Sequence, residues 1–245
     1  MGSTGATRAM DTSTMVPKPD GTEREERLQK FRGNPSKSGG WSFEGNKFTE
    51  DWFKNNSNAY ELIDKMSAKE REAFDEWAMG RFMGGQQYGK FSDMESFRQA
   101  YTRIYDKYLD QAELKQGIIT YRRAGWELLN NGSSRAMSIE QIQKMADEGT
   151  IVTSKGSMST AAASSGLWGM GGSKPVEYEF KIPAGRGRGM WIGDKRINSG
   201  WDSRQREFMT NRNAHFRVDG VRYDSNKGIH IVTMTYLFHS EHDYD

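Results

Sequence analysis

The sequence predicts an α+β fold in which an N-terminal helical lobe packs against a mostly antiparallel β core. Apolar and aromatic residues recur at helical spacing from about residue 48. From residue 117 onward the pattern changes to many short β segments. These segments do not alternate regularly with helices, which argues against a doubly wound parallel sheet.

Composition narrows the classes of function. The 245 residues contain 35 Lys and Arg against 33 Asp and Glu, and a net charge of +2 does not suit a generally polybasic nucleic-acid binder. The absence of cysteine excludes disulfides, thiolate nucleophiles and cysteine zinc sites. The four histidines, at 215, 230, 239 and 242, offer few ways to build a metal or Ser-His site. We therefore assign no metal and expect any catalysis to use carboxylates.

Two features bear on location and domain organisation. No apolar run approaches the ~20 residues of a membrane helix, and residues 1–20 contain no stretch typical of a signal peptide. We expect a cytoplasmic protein, in the producing or a target cell, with no membrane partner. Residues 1–46 are polar, contain Pro17, Pro19 and Pro35, and are predicted to form a flexible leader. Residues 47–245 are predicted to form one folded domain.

The helices of this domain are predicted from apolar stripes and capping boxes. A first helix is indicated by Trp52, Phe53, Tyr60, Leu62, Ile63 and Met66. Further helix starts are indicated by the capping boxes Ser67/Glu70, Ser92/Glu95 and Ser138/Gln141. The Gly-rich run 83–89 lacks the strand and lysine of a phosphate-binding loop, so we interpret it as a connection. The last helix, 139–148, should end at Gly149, which suits a left-handed cap.

The β core is predicted from short segments bounded by turn residues. They lie at 117–123, 150–154, 176–182, 190–192, 206–210, 216–218 and 229–237. Apolar residues alternate with charged ones over 176–182, which predicts a strand with one buried face. The segment 229–237 is apolar on both faces and is predicted to be a central strand. The end of the chain, 239–243, is expected to be a frayed tail.

Polar residues at three strand positions are candidates for chemistry. They are Tyr121-Arg122-Arg123, Ser157-Met158-Ser159-Thr160 and Gln205-Arg206-Glu207. On a strand, Gln205 and Glu207 point to the same face and can serve one ligand together. Taken singly, each group is also typical of a solvated strand edge.

Together, the order and spacing of these groups resemble the mono-ADP-ribosyltransferase exotoxins of the Arg-Ser-Glu class, including the clostridial Rho-modifying exoenzymes. The aromatic-Arg strand corresponds to 118–123, the Ser-Thr-Ser strand to 156–161 with Ala161 at the last Ser, and the Gln-x-Glu signature to 205–207. The resemblance spans about 48–237. It implies an ADP-ribosyltransferase fold with two small sheets around a cleft, and NAD as co-substrate.

The resemblance also implies roles for individual residues. Arg122 would hold an NAD phosphate, and Ser159 would orient Glu207, which would stabilise the cation that forms at the ribose. The residues expected to bind NAD are Arg122, Tyr121, Ser159, Thr160, Glu207 and Trp168, and those expected to act in catalysis are Glu207, Gln205, Ser159 and Arg122. Thr160 is also expected to support its strand.

The acceptor of ADP-ribose stays open at this point. Gln205 and Trp201 are the expected acceptor-recognition residues, and a protein side chain (Asn, Gln or Arg) is the favoured acceptor. An RNA or DNA base is the alternative, because a basic rim lies within residues 186–217. Its members are Arg186, Arg188, Lys195, Arg196, Arg204, Arg206, Arg212 and Arg217. A solvated rim accounts for the same residues. An inactive relative that serves as a binding or virion component is a third possibility, suggested by Ala161 and Gln205.

Overall fold

The structure is a computed structural model that describes residues 50–78, 94–164, 167, 174–193 and 207–242. Within these ranges the helices are α1 (Glu50–Asn56), α2 (Ala59–Lys65), α3 (Ala68–Ala78), α4 (Met94–Leu109) and α5 (Ile139–Asp147). The strands are β1 (Ile118–Ala124), β2 (Ile151–Ser154), β3 (Ser159–Ala161), β4 (Val176–Ile182), β5 (Gly189–Trp191), β6 (Glu207–Thr210), β7 (Ala214–Asp224) and β8 (Ile229–His239). No described helix is both long and apolar enough to cross a bilayer. The α+β class and the mostly antiparallel core are confirmed.

The eight described strands form one connected sheet, where two sheets were predicted. The strand order is β2-β7-β8-β4-β1-β3-β6-β5, and the β4–β8 pair is the parallel one. Between β1 and β3 the pairing consists of Tyr121 opposite Ala161. This narrow link joins a five-stranded part (β2, β7, β8, β4, β1) to a three-stranded part (β3, β6, β5). A sequence pattern cannot reveal such a link, because it depends on one residue pair 40 positions apart.

The predicted strand patterns hold where one face packs on the core. Val176, Tyr178, Phe180 and Ile182 of β4 are all fully buried. β8 lies between β7 and β4 and is buried on both faces over most of its length, as predicted for a central strand. β7 is longer than the three residues predicted, because Arg222 and Tyr223 near its end pair with Ile231 and His230 across the hairpin.

The helices α2, α3 and α4 pack on the three-stranded part of the sheet. Their buried side chains form one apolar cluster with Met190 and Ile192 at β5 and Met209 of β6. The capping box at the start of α3 forms as predicted: the Ser67 amide donates to Glu70 Oε2 (2.9 Å), and the Glu70 amide donates to Ser67 Oγ (3.2 Å). The box at Ser138 also forms, and Gly149 adopts φ 61° after α5.

The single helix predicted over 52–66 is two helices, α1 and α2, separated by Ser57 and Asn58. The Ser57 hydroxyl donates to the Phe53 carbonyl (2.7 Å), and the Asn58 side chain bonds both the Gln111 carbonyl (2.8 Å) and the Glu113 amide (2.9 Å). Short polar side chains that bond to backbone groups compete with helix propagation. The break therefore anchors the helices to the segment that leads into β1.

Candidate active site

The strands β1, β3 and β6 bring three polar side chains together at the narrow link in the sheet. Tyr121 of β1 lies opposite Ala161 of β3, which in turn lies opposite Glu207 of β6. Arg122 and Ser159 lie within two positions of this row. Residues separated by 85 positions in the chain thus meet at one place because the two antiparallel ladders share β3.

Arg122, Ser159 and Glu207 are joined by direct contacts. Arg122 Nη1 donates a hydrogen bond to the Ser159 carbonyl oxygen at 2.6 Å. The Ser159 hydroxyl donates a short hydrogen bond to Glu207 Oε1. Arg122 and Glu207 also attract each other electrostatically. Ser159 thus bonds both charged residues and holds the Glu207 carboxylate within electrostatic range of the Arg122 guanidinium.

The strand that carries Glu207 is held against β3 by side chains as well as by the ladder. The Thr160 hydroxyl donates to the Phe208 carbonyl (2.7 Å), and the Met158 amide donates to Thr210 Oγ1 (3.2 Å). Thr160 is fully buried and lies on the opposite side of β3 from Ser159. Its hydroxyl bonds the backbone of β6, and its expected part in co-substrate binding stays a prediction.

Burial sets the electrostatics of the group. Glu207 is 9% exposed, and burial raises the pKa of its carboxyl group, opposed by the Ser159 hydrogen bond and by the Arg122 charge. Burial lowers the pKa of Arg122, opposed by the charge of Glu207. A partly desolvated carboxylate and guanidinium interact more strongly with a charged ligand than the same groups in water. The arrangement suits a ligand that has both anionic groups and a centre that becomes cationic.

A cavity of about 810 Å³ opens beside Arg122. Its walls come from the segment after β1, from β2 and the residues that follow it, and from Met145 of α5. The polar lining residues include Glu127, Asn131, Thr153 and Lys155. This volume lies at the upper end of the range for sites that bind drug-sized ligands and cofactors.

A model of the ADP-ribosyltransferase exoenzyme family matches residues 86–238, which is more than half of the chain. The protein belongs to this family. Family membership makes it an ADP-ribosyltransferase by descent, and the three joined residues all lie inside the matched range.

Solved structures of ADP-ribosyltransferase exoenzymes share the fold. C3stau2 from S. aureus, determined with NAD, is 17% identical, with a TM-score of 0.54 over 79% of this chain and 99% of that one. Plx2a, a toxin from Paenibacillus larvae, is 18% identical, with a TM-score of 0.54 over 77% and 94% of the two chains. The Clostridium limosum C3 exoenzyme is 15% identical, with a TM-score of 0.52 over 80% and 97%. No curated protein matches by sequence.

In this exoenzyme-family protein, Arg122 lines the cavity and Tyr121 does not. Successive side chains of a strand point to opposite faces, and Tyr121 lies with Glu179 and Glu177, which raise the pKa of its hydroxyl in addition to burial. Tyr121 is also aligned through Ala161 with Glu207, and directly opposed residues share a face of the sheet. Its expected part in co-substrate binding stays a prediction. Trp168, Trp201 and Gln205 lie outside the residues that the structure describes.

Three members of the predicted basic rim that lie within the described residues are paired with acids or buried. Arg188 and Arg217 are each only 5% exposed, and Arg217 Nε bonds Asp219 Oδ1 at 2.6 Å. Arg212 pairs with the buried carboxylate of Asp106. The acid paired with Arg212 belongs to α4, whereas the acid paired with Arg217 lies two residues further along the same strand. Arg188 lies 3.6 Å from Glu113. The members at 195, 196, 204 and 206 lie outside the described residues.

The segment after β8 is packed, and the expected frayed tail is wrong for residues 239–242. His239 and His242 side chains are 2% exposed, and His242 Nε2 lies 2.6 Å from Asp110 Oδ2. One contact at the cavity wall was not predicted from the sequence: the Tyr178 hydroxyl donates to the Gly125 carbonyl (2.7 Å). The signal available was Gly125 directly after the strand of Arg122, since glycine permits close approach, here of the Glu127 carboxylate.

Proposed function

We propose that the protein is a mono-ADP-ribosyltransferase that cleaves NAD and transfers ADP-ribose to a macromolecular acceptor. The observation that carries the proposal is the joined group of Arg122, Ser159 and Glu207 beside a cavity of about 810 Å³. Family membership supports the same reaction, as does the bound NAD in the similar C3stau2 structure. Residues 47–245 are proposed as the catalytic domain.

The residues of the site suit NAD as the ADP-ribose donor. The Arg122 guanidinium can donate charge-assisted hydrogen bonds to the pyrophosphate, which carries the negative charge of the dinucleotide. The cavity has the size and the mixed polar lining that an adenosine moiety requires. No metal is needed for this role, because a fixed guanidinium already supplies the countercharge.

Glu207 supplies the electrostatic part of the chemistry. When the bond between nicotinamide and ribose C1′ breaks, its electron pair leaves with nicotinamide and positive charge develops on the ribose. A carboxylate in a partly desolvated site stabilises such an oxocarbenium-like transition state, as in glycoside hydrolysis. The acceptor then forms a bond to C1′ and loses a proton. Ser159 keeps the carboxylate oriented during this step.

The acceptor is proposed to be an Asn, Gln or Arg side chain of a protein. A neutral amide at Gln205 suits hydrogen bonding to another amide, and Trp201 is proposed to contact the acceptor. A nucleic-acid base is the less favoured acceptor, since the inward pairing of Arg188, Arg212 and Arg217 reduces the basic surface on which that idea depended.

Nicotinamide release from NAD by the purified protein tests the proposal. Glu207→Gln keeps the size of the side chain but removes its charge, and we expect its turnover to fall by roughly 10²-fold or more. Glu61→Gln, on the exposed face of α2, is the matched control and should keep wild-type turnover. Wild-type release no faster than that of Glu207→Gln, with and without cell lysate, would contradict the proposal.

The same assay with pretreated lysate separates the acceptors. Radiolabelled ADP-ribose that becomes attached to a polymer supports a protein acceptor if protease destroys the labelled polymer and nuclease does not. Label that nuclease removes would select the nucleic-acid alternative. NAD turnover that lysate does not stimulate, and that leaves no labelled polymer, would contradict transfer to a macromolecule and leave only hydrolysis of NAD.

A further inference from the structure

The turn that follows β6 is anchored to helix α4 by an ion pair. Arg212 Nε lies 3.0 Å from Asp106 Oδ1, and Arg212 Nη2 lies 2.5 Å from Asp106 Oδ2. The forked contact engages both carboxylate oxygens, which fixes the direction of the guanidinium as well as its distance. The Asp106 side chain is 1% exposed, so the pair is shielded from solvent on the helix side.

A second contact in the same turn reaches Asp110, the residue directly after α4. Asn211 Nδ2 donates to Asp110 Oδ1 at 2.9 Å, and the Tyr236 hydroxyl donates to Asn211 Oδ1 at 3.2 Å. Asn211 is fully buried. The Asn211 side chain therefore bonds both Asp110, just after α4, and Tyr236 of β8.

The last residue of β8 and the chain that follows it enclose these acids. His242 Nε2 lies 2.6 Å from Asp110 Oδ2 and 4.0 Å from Asp106 Oδ1, and His239 Nε2 lies 3.7 Å from Asp110 Oδ1. The Asn213 side chain donates to the Glu241 carbonyl (2.9 Å), and the Ser240 amide donates to the Asn213 carbonyl (3.1 Å). The turn 211–213 is therefore held from α4 and from the C-terminal segment.

This turn begins one residue after the strand of Glu207 ends. β6 has only four residues, Glu207–Thr210, and its start is tied to β3 by Ser159 and Thr160. A displacement at one end of such a short extended strand also moves the other end, because the backbone is already nearly fully extended. Helix α4 also supplies Tyr105, which is fully buried and close enough to Glu207 for the carboxylate charge to raise the pKa of its hydroxyl, after burial itself.

We propose that the pairs Asp106–Arg212 and Asp110–Asn211 position β6, and through it the carboxylate of Glu207, to stabilise the positive charge that develops when the nicotinamide–ribose bond breaks. These four are positioning residues and touch no reacting atom. The inference rests on the proposed function. Ser159 and Thr160 hold the beginning of β6 in place, and the two proposed pairs hold its C-terminal end.

The test compares two substitutions of Arg212 with the same two at Arg222. Arg212→Lys keeps the charge and loses the forked geometry, whereas Arg212→Met loses both. Arg222 makes a similar forked contact with Glu179 (2.6 and 3.1 Å) on the part of the sheet remote from β6, so Arg222→Lys and Arg222→Met are the controls. All five proteins are assayed for nicotinamide release, NAD affinity, pH dependence of turnover and urea unfolding.

We expect Arg212→Met to lower kcat by roughly 10- to 100-fold, because displacements near 1 Å have effects of this size. The KM and Kd for NAD should change less than about twofold, since Arg122 and the cavity lie on other strands. The acid limb of the pH profile should move to higher pH, because a displaced Glu207 loses the hydrogen bond and the charge that favour its ionised form. Arg212→Lys should recover part of kcat.

The proposal is overturned if the Arg212 variants lose no more kcat than the Arg222 variants, or if the acid limb stays in place. If Arg212→Met does not fold, the comparison of Arg212→Lys with Arg222→Lys decides by the same two readouts. Failure of the proposed function is separately visible, because in that case wild type and Glu207→Gln release nicotinamide equally. If nicotinamide release depends on Glu207 but the Arg212 variants keep the wild-type rate, the proposed function stands and the positioning role is wrong.

Discussion

Glu207 depends on a single hydroxyl for its orientation. Ser159 donates to one carboxylate oxygen, while Arg122 is held by the backbone carbonyl of the same serine. The serine therefore contacts both charged partners, through its side chain on one side and its main chain on the other. Removal of the hydroxyl leaves the contact with Arg122 intact, so the two effects can be separated.

Ser159→Ala is expected to lower kcat for NAD cleavage roughly tenfold, because a hydrogen bond to a charged group is typically worth about 1.5–3 kcal/mol. The loss of this bond also removes one cause that lowers the pKa of Glu207, so the acid limb of the pH profile should shift upward. Steady-state rates of nicotinamide release between pH 4 and 8 measure both effects.

Ser157→Ala is the control for this change. Ser157 lies two residues earlier, and its hydroxyl has no hydrogen-bond partner within the described part of the chain. The control should keep the wild-type rate and pH profile. Equal rates for Ser159→Ala and wild type would show that the hydroxyl does not orient Glu207.

The sequence predicted which residues meet at the site better than it predicted the face of the sheet to which each side chain points. Arg122, Ser159 and Glu207 belong to the three sequence motifs described above, and the structure brings all three together. Thr160 is adjacent to Ser159 in its motif, but alternation along β3 turns its side chain to the other face of the sheet. The expected roles of Tyr121 and Thr160 in co-substrate binding stay predictions. Trp168, Trp201 and Gln205 stay predictions. A motif specifies residue types, whereas strand geometry decides which neighbours face the ligand.

At the scale of elements, His215 links three parts of the sheet. Its Nδ1 lies 2.8 Å from Thr153 Oγ1 of β2, and its Nε2 lies 2.6 Å from Ser240 Oγ after β8. The ring also stacks on Phe238 at 4.4 Å. Burial lowers the pKa of His215 to about 4, and His239 acts in the same direction.

The lowered pKa makes stability depend on pH with a defined sign. Between the unfolded value near 6.5 and the folded value of about 4, the unfolded chain binds more protons, so stability is complete above about pH 6.5 and falls as the pH drops toward 4. For a half-buried group we expect about 2 kcal/mol from His215. His215→Gln should flatten this loss in urea unfolding curves measured from pH 7 to 4.

His230→Gln serves as the control for His215→Gln. It removes an imidazole from β8 that packs between Trp126 (5.2 Å) and Tyr223 (5.3 Å), away from Thr153 and Ser240. His239 also has a pKa lowered by burial, so part of the slope should remain in His215→Gln. An unchanged slope in that variant would contradict the assigned origin of the acid sensitivity.

Element positions were predictable where a local signal sets them. Capping boxes fixed the starts of α3 and α5, and alternation fixed β4. The break between α1 and α2 was not predictable, because Asn58 makes it by bonding to residues 53 and 55 positions away. The pairing of Arg212 with Asp106 was not predictable for the same reason, because the two residues are 106 positions apart.

At the scale of the whole molecule, α1 joins the helices to the main core. Phe53 stacks on Trp191 of β5 at 4.6 Å with an interplanar angle of 12° and lies 6.2 Å from Phe208 of β6. Phe53 belongs to the large cluster that also contains Tyr178 and Phe216 of the five-stranded part. The narrow β1–β3 link is thus reinforced by packing, because one helix residue contacts the strand of Glu207 and the core beneath it.

Phe53→Ala is therefore expected to destabilise helices and sheet together. Truncation of a buried Phe costs about 3–5 kcal/mol, and the cavity would lie against Phe208, the neighbour of Glu207. The far-UV circular dichroism and tryptophan fluorescence midpoints in urea should fall by the same amount, with lower turnover below the transition. Tyr223→Ala, an aromatic truncation at a side chain 52% exposed, should leave midpoints and turnover close to wild type. If the helical signal of Phe53→Ala were lost at a lower urea concentration than the fluorescence signal, the helices and the sheet would be separate folding units, and the packing of Phe53 would not couple them.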